Sequence, residues 1–250
     1  AYDIKDLLQN KNAFGVILGN GRHIKSYGYD YPKFILQVMI EYANGDVLTL
    51  ISDEEWKVNF GPLRENGLYF GEFYDARLEM EGWDEYGYND KNWEKPIIKN
   101  GSRLIAQKMP PIKIDCYLKP QRMFNPSYGV FVFDFGQNFS GWVKLIVEGP
   151  PGTKVQLRFA ENIDENYMIN TQANIHADAT DIFILKGKGI EIYEPRFTYH
   201  GFRYVEVTGY PGVPSLDNVT GCFVHTSVKK NSYFYCSNEL INKIHQNILW

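Results

Sequence analysis

The chain has 250 residues, of which 44% are hydrophobic, 16% aromatic and 22% charged, a composition that favours folded domains and excludes a disordered chain. Its net charge of −4, without any basic stripe, argues against a nucleic-acid partner. No apolar run approaches the roughly 18–20 residues that a membrane span needs, so a membrane partner is not expected either.

The first part of the chain is predicted to contain a buried strand and a hairpin. An apolar run over residues 12–18 ends in glycines and is typical of a buried strand. Residues 34–42 alternate apolar and polar side chains, Asn44-Gly45 supplies two positive-φ turn positions, and residues 47–51 return as the second strand.

The middle of the chain reads as strand and loop, followed by a linker. Residues 68–78 are interpreted as strand and loop, and residues 82–93 as a polar loop with several aromatic side chains. Proline and glycine pairs between residues 100 and 112 indicate a boundary. We therefore assign residues 1–107 to a first domain.

A second series of strands occupies residues 108–228, the predicted second domain. Glycine and proline turns at short spacing separate its members, a pattern typical of a β-sandwich rather than of βαβ units. The predicted strands are 130–135, 141–148, 155–160, 181–185, 190–193, 202–208 and 219–225.

The last segment, residues 229–250, changes to helical periodicity. Ser237 is the predicted N-cap, and Leu240, Ile241, Ile244 and Ile248 recur on one face. We interpret this segment as a linker and the first helix of a further domain. The predicted fold class is all-β, with two consecutive jelly-roll-like β-sandwich domains that end in the start of an α-helix.

Cysteine and histidine spacing gives no sign of catalysis or zinc binding. The three cysteines lack a CxxC pair and are expected to be free thiols, with a Cys222–Cys236 bridge as the open alternative. The five histidines show neither HxH nor HExxH spacing.

Carboxylates are the remaining route to chemistry, because a glycosidase needs two of them. Glu72, Asp75, Asp134 and Glu161 stand in suggestive local sequence, although acids at strand ends are more often caps or ion-pair partners. We favour a structural role for these four over a catalytic pair among them.

Sugar binding fits the loops better than bond cleavage does. Aromatic rings bind the CH faces of pyranoses, and planar polar groups bind their hydroxyls. The candidates from the residue types are Asn20, Arg22, Glu72, Asp75 and Trp83. In the structural alternative, Trp83 and Trp93 plug a sandwich edge and Asp75 pairs with Arg77. Asn and Asp oxygens are also suited to calcium.

Several motifs, in order, resemble bacterial α-L-rhamnosidases over nearly the whole chain. In the first half these are YDIKDLL, the LGNG turn, Gly71-Glu72 followed by Tyr74 to Arg77, and Gly82-Trp83 with Trp93. In the second half they are DFGQNFSGWVKLIVEGPPGTKVQLRFAE, FTYHGFRYVEVTG and FYCSNELINKIHQNILW.

The resemblance implies part of an inverting glycoside hydrolase that removes terminal α-L-rhamnose from glycosides and glycans. The family's catalytic acids would lie in an (α/α)6 barrel downstream of Trp250, so no catalytic residue is carried over. Its N-terminal domain is similar to a calcium-dependent rhamnose-binding module, which adds Asn66 to the sugar candidates and makes Asn20 and Asn66 the calcium candidates. Arg22-His23 departs from the aromatic pair that often follows the family's LGNG turn.

Three functions follow as hypotheses. The chain is accessory structure of a rhamnosidase, an autonomous rhamnose-binding module, or a self-contained glycosidase, and we rank them in that order. The resemblance implies a bacterial protein, cytoplasmic or exported.

Overall fold

The computed structural model describes residues 2–20, 32–229 and 231–250, and within these ranges the chain is all-β with one α-helix. Four short 3-10 turns occur at Lys5–Leu7, Ala76–Leu78, Gln172–Asn174 and Leu216–Asn218. The strands are β1 (Gln37–Glu41), β2 (Val47–Ile51), β3 (Leu63–Gly67), β4 (Gly71–Asp75), β5 (Ile112–Leu118), β6 (Arg122–Ser127), β7 (Val130–Glu148), β8 (Lys154–Ala160), β9 (Asn162–Ile163), β10 (Ile169–Asn170), β11 (Thr180–Ile184), β12 (Ile190–Tyr193), β13 (His200–Thr208) and β14 (Val219–Thr226), and helix α1 spans Glu239–Leu249.

The predicted hairpin is confirmed as β1 and β2, but its turn differs. The strands pair antiparallel from Gln37 opposite Ile51 to Glu41 opposite Val47. Only Gly45 of the predicted turn pair has a positive φ, 87°, and the loop closes between Tyr42 and Asp46. A three-residue loop needs one left-handed position, whereas a two-residue loop of the predicted type needs two.

Ten strands form one curled sheet, which folds into a sandwich. Its order is β3-β4-β11-β8-β13-β7-β14-β5, and β6 and β12 also pair with β7. The 19-residue β7 pairs with β6 along its first half and with β12 along its second, so it runs through both layers. The two stretches predicted on either side of residue 140 are therefore one continuous strand.

The core lies between the layers and is rich in phenylalanine. Phe133, Phe159, Phe202, Leu145 and Leu157 are fully buried. Each such side chain contributes about 1.5–3 kcal/mol of hydrophobic stabilisation by leaving water. This apolar centre fixes the strand ends that carry the polar groups described below.

The hairpin β3–β4 belongs to the same sheet as the second series, although its residues fall within the expected first domain. β4 pairs in parallel with β11, with Phe73 opposite Ile182 and Asp75 opposite Ile184. Parallel pairing joins segments that are distant in sequence. The seam between β4 and β11 is therefore where the two halves of the chain meet.

The strand predicted over residues 12–18 is wrong. This segment is extended but pairs with no strand in the part of the chain that the structure describes, and Phe14 and Ile17 are partly exposed. An apolar run becomes a strand only where a neighbour accepts its hydrogen bonds. Gly15 instead lies against the Trp83 ring, where a Cβ would come within 2.6 Å of it.

The terminal helix is confirmed, with a different cap. Asn238, rather than Ser237, accepts the backbone N–H groups of Leu240 and Ile241 at 3.0 and 3.4 Å. Leu240 and Ile248 are largely exposed, while Trp250 packs on Phe223 with ring centroids 4.7 Å apart.

Two further findings concern the cysteines and the membrane. Cys116, Cys222 and Cys236 are all free, which excludes the Cys222–Cys236 bridge. Among the residues described, no helix combines the length and the apolar character needed to span a bilayer.

Candidate functional site

The seam between β4 and β11 is built around Gly71 and Glu72. Gly71 has a φ of 99°, and a Cβ on it would lie 2.0 Å from the carbonyl oxygen of Thr180. Only glycine allows this close approach without strain. It brings the backbone N–H of Glu72 to Oδ1 of Asp181, 3.0 Å away.

Glu72 is buried, with 2% of its surface exposed, and is held by the segment that follows β12. Its Oε2 accepts the backbone N–H groups of Arg196 at 3.0 Å and Phe197 at 3.4 Å. Its Oε1 accepts the hydroxyl of Tyr193 at 3.3 Å. Both carboxylate oxygens are therefore engaged in structural hydrogen bonds.

Asp181 and His200 complete this buried cluster. Nε2 of His200 lies 3.1 Å from Oδ1 of Asp181, and the His200 ring stacks on Phe159 at 4.1 Å. Oδ2 of Asp181 is buried and has no hydrogen-bond partner among the described residues. Two carboxyl groups thus share an apolar environment with one histidine.

Burial sets the protonation of Glu72 and Tyr193 in this cluster. Loss of hydration raises the pKa of Glu72 from 4.5 to about 7, and the negative charge of Asp181 raises it further, against the hydrogen bonds from Arg196 and Phe197. Burial likewise raises the pKa of the Tyr193 hydroxyl well above 10.0. Glu72 can therefore hold a proton near neutral pH, but its side chain is closed off from solvent.

Asn20 and Asn66 come together as a donor and an acceptor. The backbone N–H of Asn20 donates to Oδ1 of Asn66 at 2.9 Å, and Gly19 lies against the Phe197 ring. The LGNG turn thus packs on the segment that holds Glu72.

This arrangement does not fit the six to eight inward-facing oxygens that calcium takes, because Oδ1 of Asn66 already accepts an N–H. Within the described ranges, no three His, Cys, Asp or Glu side chains converge as a metal site. Calcium binding at Asn20 and Asn66 stays a prediction of the resemblance.

The other sugar candidates lie apart from this cluster. Asp75 forms a two-pronged ion pair with Arg77, with contacts of 2.9 and 2.8 Å, which lowers the pKa of the Asp75 carboxyl. Trp83 stacks on Trp93 with centroids 6.5 Å apart. Arg22 lies outside the described residues.

Asp134 is a third carboxylate held by structural partners. It is buried and accepts Nε of Arg203 at 2.7 Å, Nη2 of Arg122 at 3.0 Å and the backbone N–H of Gly136 at 2.7 Å. Burial raises its pKa, but these donors outweigh burial and hold the pKa below 3.8. Three of the four candidate acids are therefore held by structural partners, and Glu161 alone is exposed.

Sequence reasoning missed the partners of Glu72. Asp181, Tyr193 and His200 each lie more than a hundred residues beyond it in the chain, and no local pattern links them. The FTYHGF motif does mark the segment that contains Phe197 and His200, but spacing alone cannot assign them a role.

Two family models match the chain. Residues 1–115 match the α-L-rhamnosidase N-terminal domain, and residues 125–225 match the bacterial α-L-rhamnosidase concanavalin-like domain.

Known α-L-rhamnosidases show the same similarity. One from Streptomyces avermitilis is 42% identical over 90% of this chain and 22% of its own length, and one from Formosa agariphila is 34% identical over 100% of this chain and 28% of its own length. The structure of an α-L-rhamnosidase from Dictyoglumus thermophilum superposes with a TM-score of 0.88 at 49% identity, over 93% of this chain and 27% of that one. The chain thus spans about a quarter of the relatives that it matches.

Proposed function

The chain belongs to the bacterial α-L-rhamnosidase family, and we propose that it supplies a non-catalytic, β-rich part of an enzyme that removes terminal α-L-rhamnose from glycosides. In this role it supports a catalytic domain, for which the resemblance implies an (α/α)6 barrel.

The engagement of the candidate carboxylates carries this proposal. A retaining or inverting glycosidase needs two carboxyl groups that reach the scissile bond. Glu72, Asp75 and Asp134 each bind backbone N–H groups or arginines instead. These acids stabilise the fold and are not free to act on a substrate.

The exposed face of α1 supports the structural role. Leu240, Ile244 and Ile248 are at least half exposed and recur on one side of the helix. An apolar stripe of this kind favours packing against another protein surface. We propose the catalytic domain as that surface.

Domain exchange tests the support function. In the Dictyoglumus thermophilum enzyme, the matching region would be replaced by this chain, or deleted. We expect the exchanged enzyme to hydrolyse p-nitrophenyl α-L-rhamnoside and the deleted one to aggregate or lose activity. A deleted enzyme with full activity and an unchanged thermal midpoint would contradict the proposal.

Carbohydrate binding is the second candidate function, with an autonomous rhamnose-binding module as its extreme form. It is favoured by an open cleft with mixed apolar and hydrogen-bonding walls, lined in part by Asn66.

A further inference from the structure

A cleft of about 600 Å³ opens on the outer face of the sheet. Its floor follows from the strand register, since Phe73 on β4 lies opposite Ile182 on β11, and Thr180 on β11 lies opposite Arg158 on β8. Residues 171–178 form the facing wall. This volume is within the range of about 300–1,000 Å³ typical of small-molecule sites.

The walls combine apolar and hydrogen-bonding groups. Phe70, Phe73 and Ile182 offer apolar surface, and Thr171 and Thr180 offer hydroxyls. Sugars present the same combination, because their CH faces are apolar and their edges carry hydroxyl groups.

The facing wall contains a strained backbone. Ile175 has a φ of 54° and Ala179 a φ of 41°, and a positive φ is a genuine outlier for a β-branched residue. The segment is anchored, because Nδ2 of Asn174 donates to the carbonyl of Phe159 at 2.9 Å and the N–H of Phe159 donates to the carbonyl of Ala179 at 3.0 Å. Anchored strain of this kind is common at ligand sites. It holds Ile175, which is 81% exposed, at the edge of the cleft.

The charges of the cleft select against acidic ligands. Arg158 is neutralised by Glu206, with Nη1 and Oε1 3.0 Å apart. Asp178 on the facing wall is acidic, as are the further lining residues Glu65 and Glu72. A carboxylated sugar would be repelled, whereas a neutral sugar would not.

We propose that this cleft binds a neutral saccharide. That the saccharide carries rhamnose rests on the proposed function.

Calorimetric titration of the chain tests the proposal with two probes, the neutral disaccharide L-rhamnosyl-α-1,2-D-glucose and the acidic L-rhamnosyl-α-1,4-D-glucuronic acid. We expect the neutral probe to bind at millimolar concentration and the acidic one to bind at least about tenfold more weakly. Asp178→Lys should reduce or reverse this preference. Equal binding of both probes, or no heat from the neutral one, would overturn the proposal.

Ile175→Gly separates binding from folding. Glycine accepts the positive φ without strain, so the thermal midpoint should stay or rise, while affinity for the neutral probe should fall roughly tenfold as a wall contact is lost. Ile105→Gly is the matched control, because Ile105 is 80% exposed and lies outside the cleft. Equal affinity of the two variants would overturn the cleft. Failed titration with an active exchanged enzyme would overturn the cleft alone, and intact titration with an inactive exchanged enzyme the support function alone.

Discussion

Glu72 accepts the backbone N–H of Arg196 at 3.0 Å across 124 residues of sequence. This bond joins the Gly71-Glu72 motif of the first half to the FTYHGF region of the second. The most recognisable motifs of the chain thus meet in a buried structural cluster.

We predict that Glu72 makes the free energy of unfolding fall as the pH rises. The pKa of Glu72 is about 7 in the folded protein against 4.5 ordinarily, chiefly because of burial. The folded state therefore holds the proton more tightly, so this stabilisation is complete below pH 4.5 and is lost as the pH rises through about 7. The shift corresponds to an effect on the order of 3 kcal/mol.

Urea denaturation across this pH range measures the effect, with Glu72→Gln as the comparison. Glutamine keeps an oxygen for Arg196 and cannot ionise, so the difference between variant and wild type should change with pH. Parallel curves for the two proteins would show that Glu72 does not titrate there.

Gly71→Ala should destabilise the fold far more than an ordinary substitution. The new Cβ would meet the Thr180 carbonyl at 2.0 Å and the residue would keep a φ of 99°. We expect a loss on the order of 4 kcal/mol, above the common range. Gly129→Ala is the control, because Gly129 has a φ of 71° but no atom within 4 Å of its Cβ position, and strain alone costs about 1–2 kcal/mol. Equal thermal midpoints for the two variants would refute the close-packed seam.

Asp134→Asn should destabilise the protein at neutral pH by about 3 kcal/mol, the lower end for a broken buried ion pair because Arg122 and Arg203 reach solvent. The folded pKa of Asp134 lies below 3.8, so its stabilisation is present above that pH and is lost as the pH falls through the folded pKa. Asp90→Asn, which removes an exposed pair with Lys57, should change the denaturation midpoint little. Similar midpoints for both variants would argue against the Asp134 network.

Local patterns predict the elements whose partners are near in sequence. The β1–β2 hairpin is predictable because its strands and its turn lie within fifteen residues of each other. The helix is predictable from its apolar spacing, and only its cap differs, Asn238 in place of Ser237.

Long-range pairing could not be predicted. The run at residues 12–18 has strand-like composition but no partner strand among the described residues, and β6 escapes prediction because Pro126 interrupts its pattern. The motif around Glu72 marks it as a sugar or catalytic candidate, yet its hydrogen bonds depend on residues 193–197, which only the folded sheet brings near.

The most direct test of a non-catalytic role is hydrolysis by the purified chain alone. Incubated with p-nitrophenyl α-L-rhamnoside, it should release no p-nitrophenol above the buffer rate. Release that is abolished by Glu72→Gln or Glu161→Gln would contradict the account.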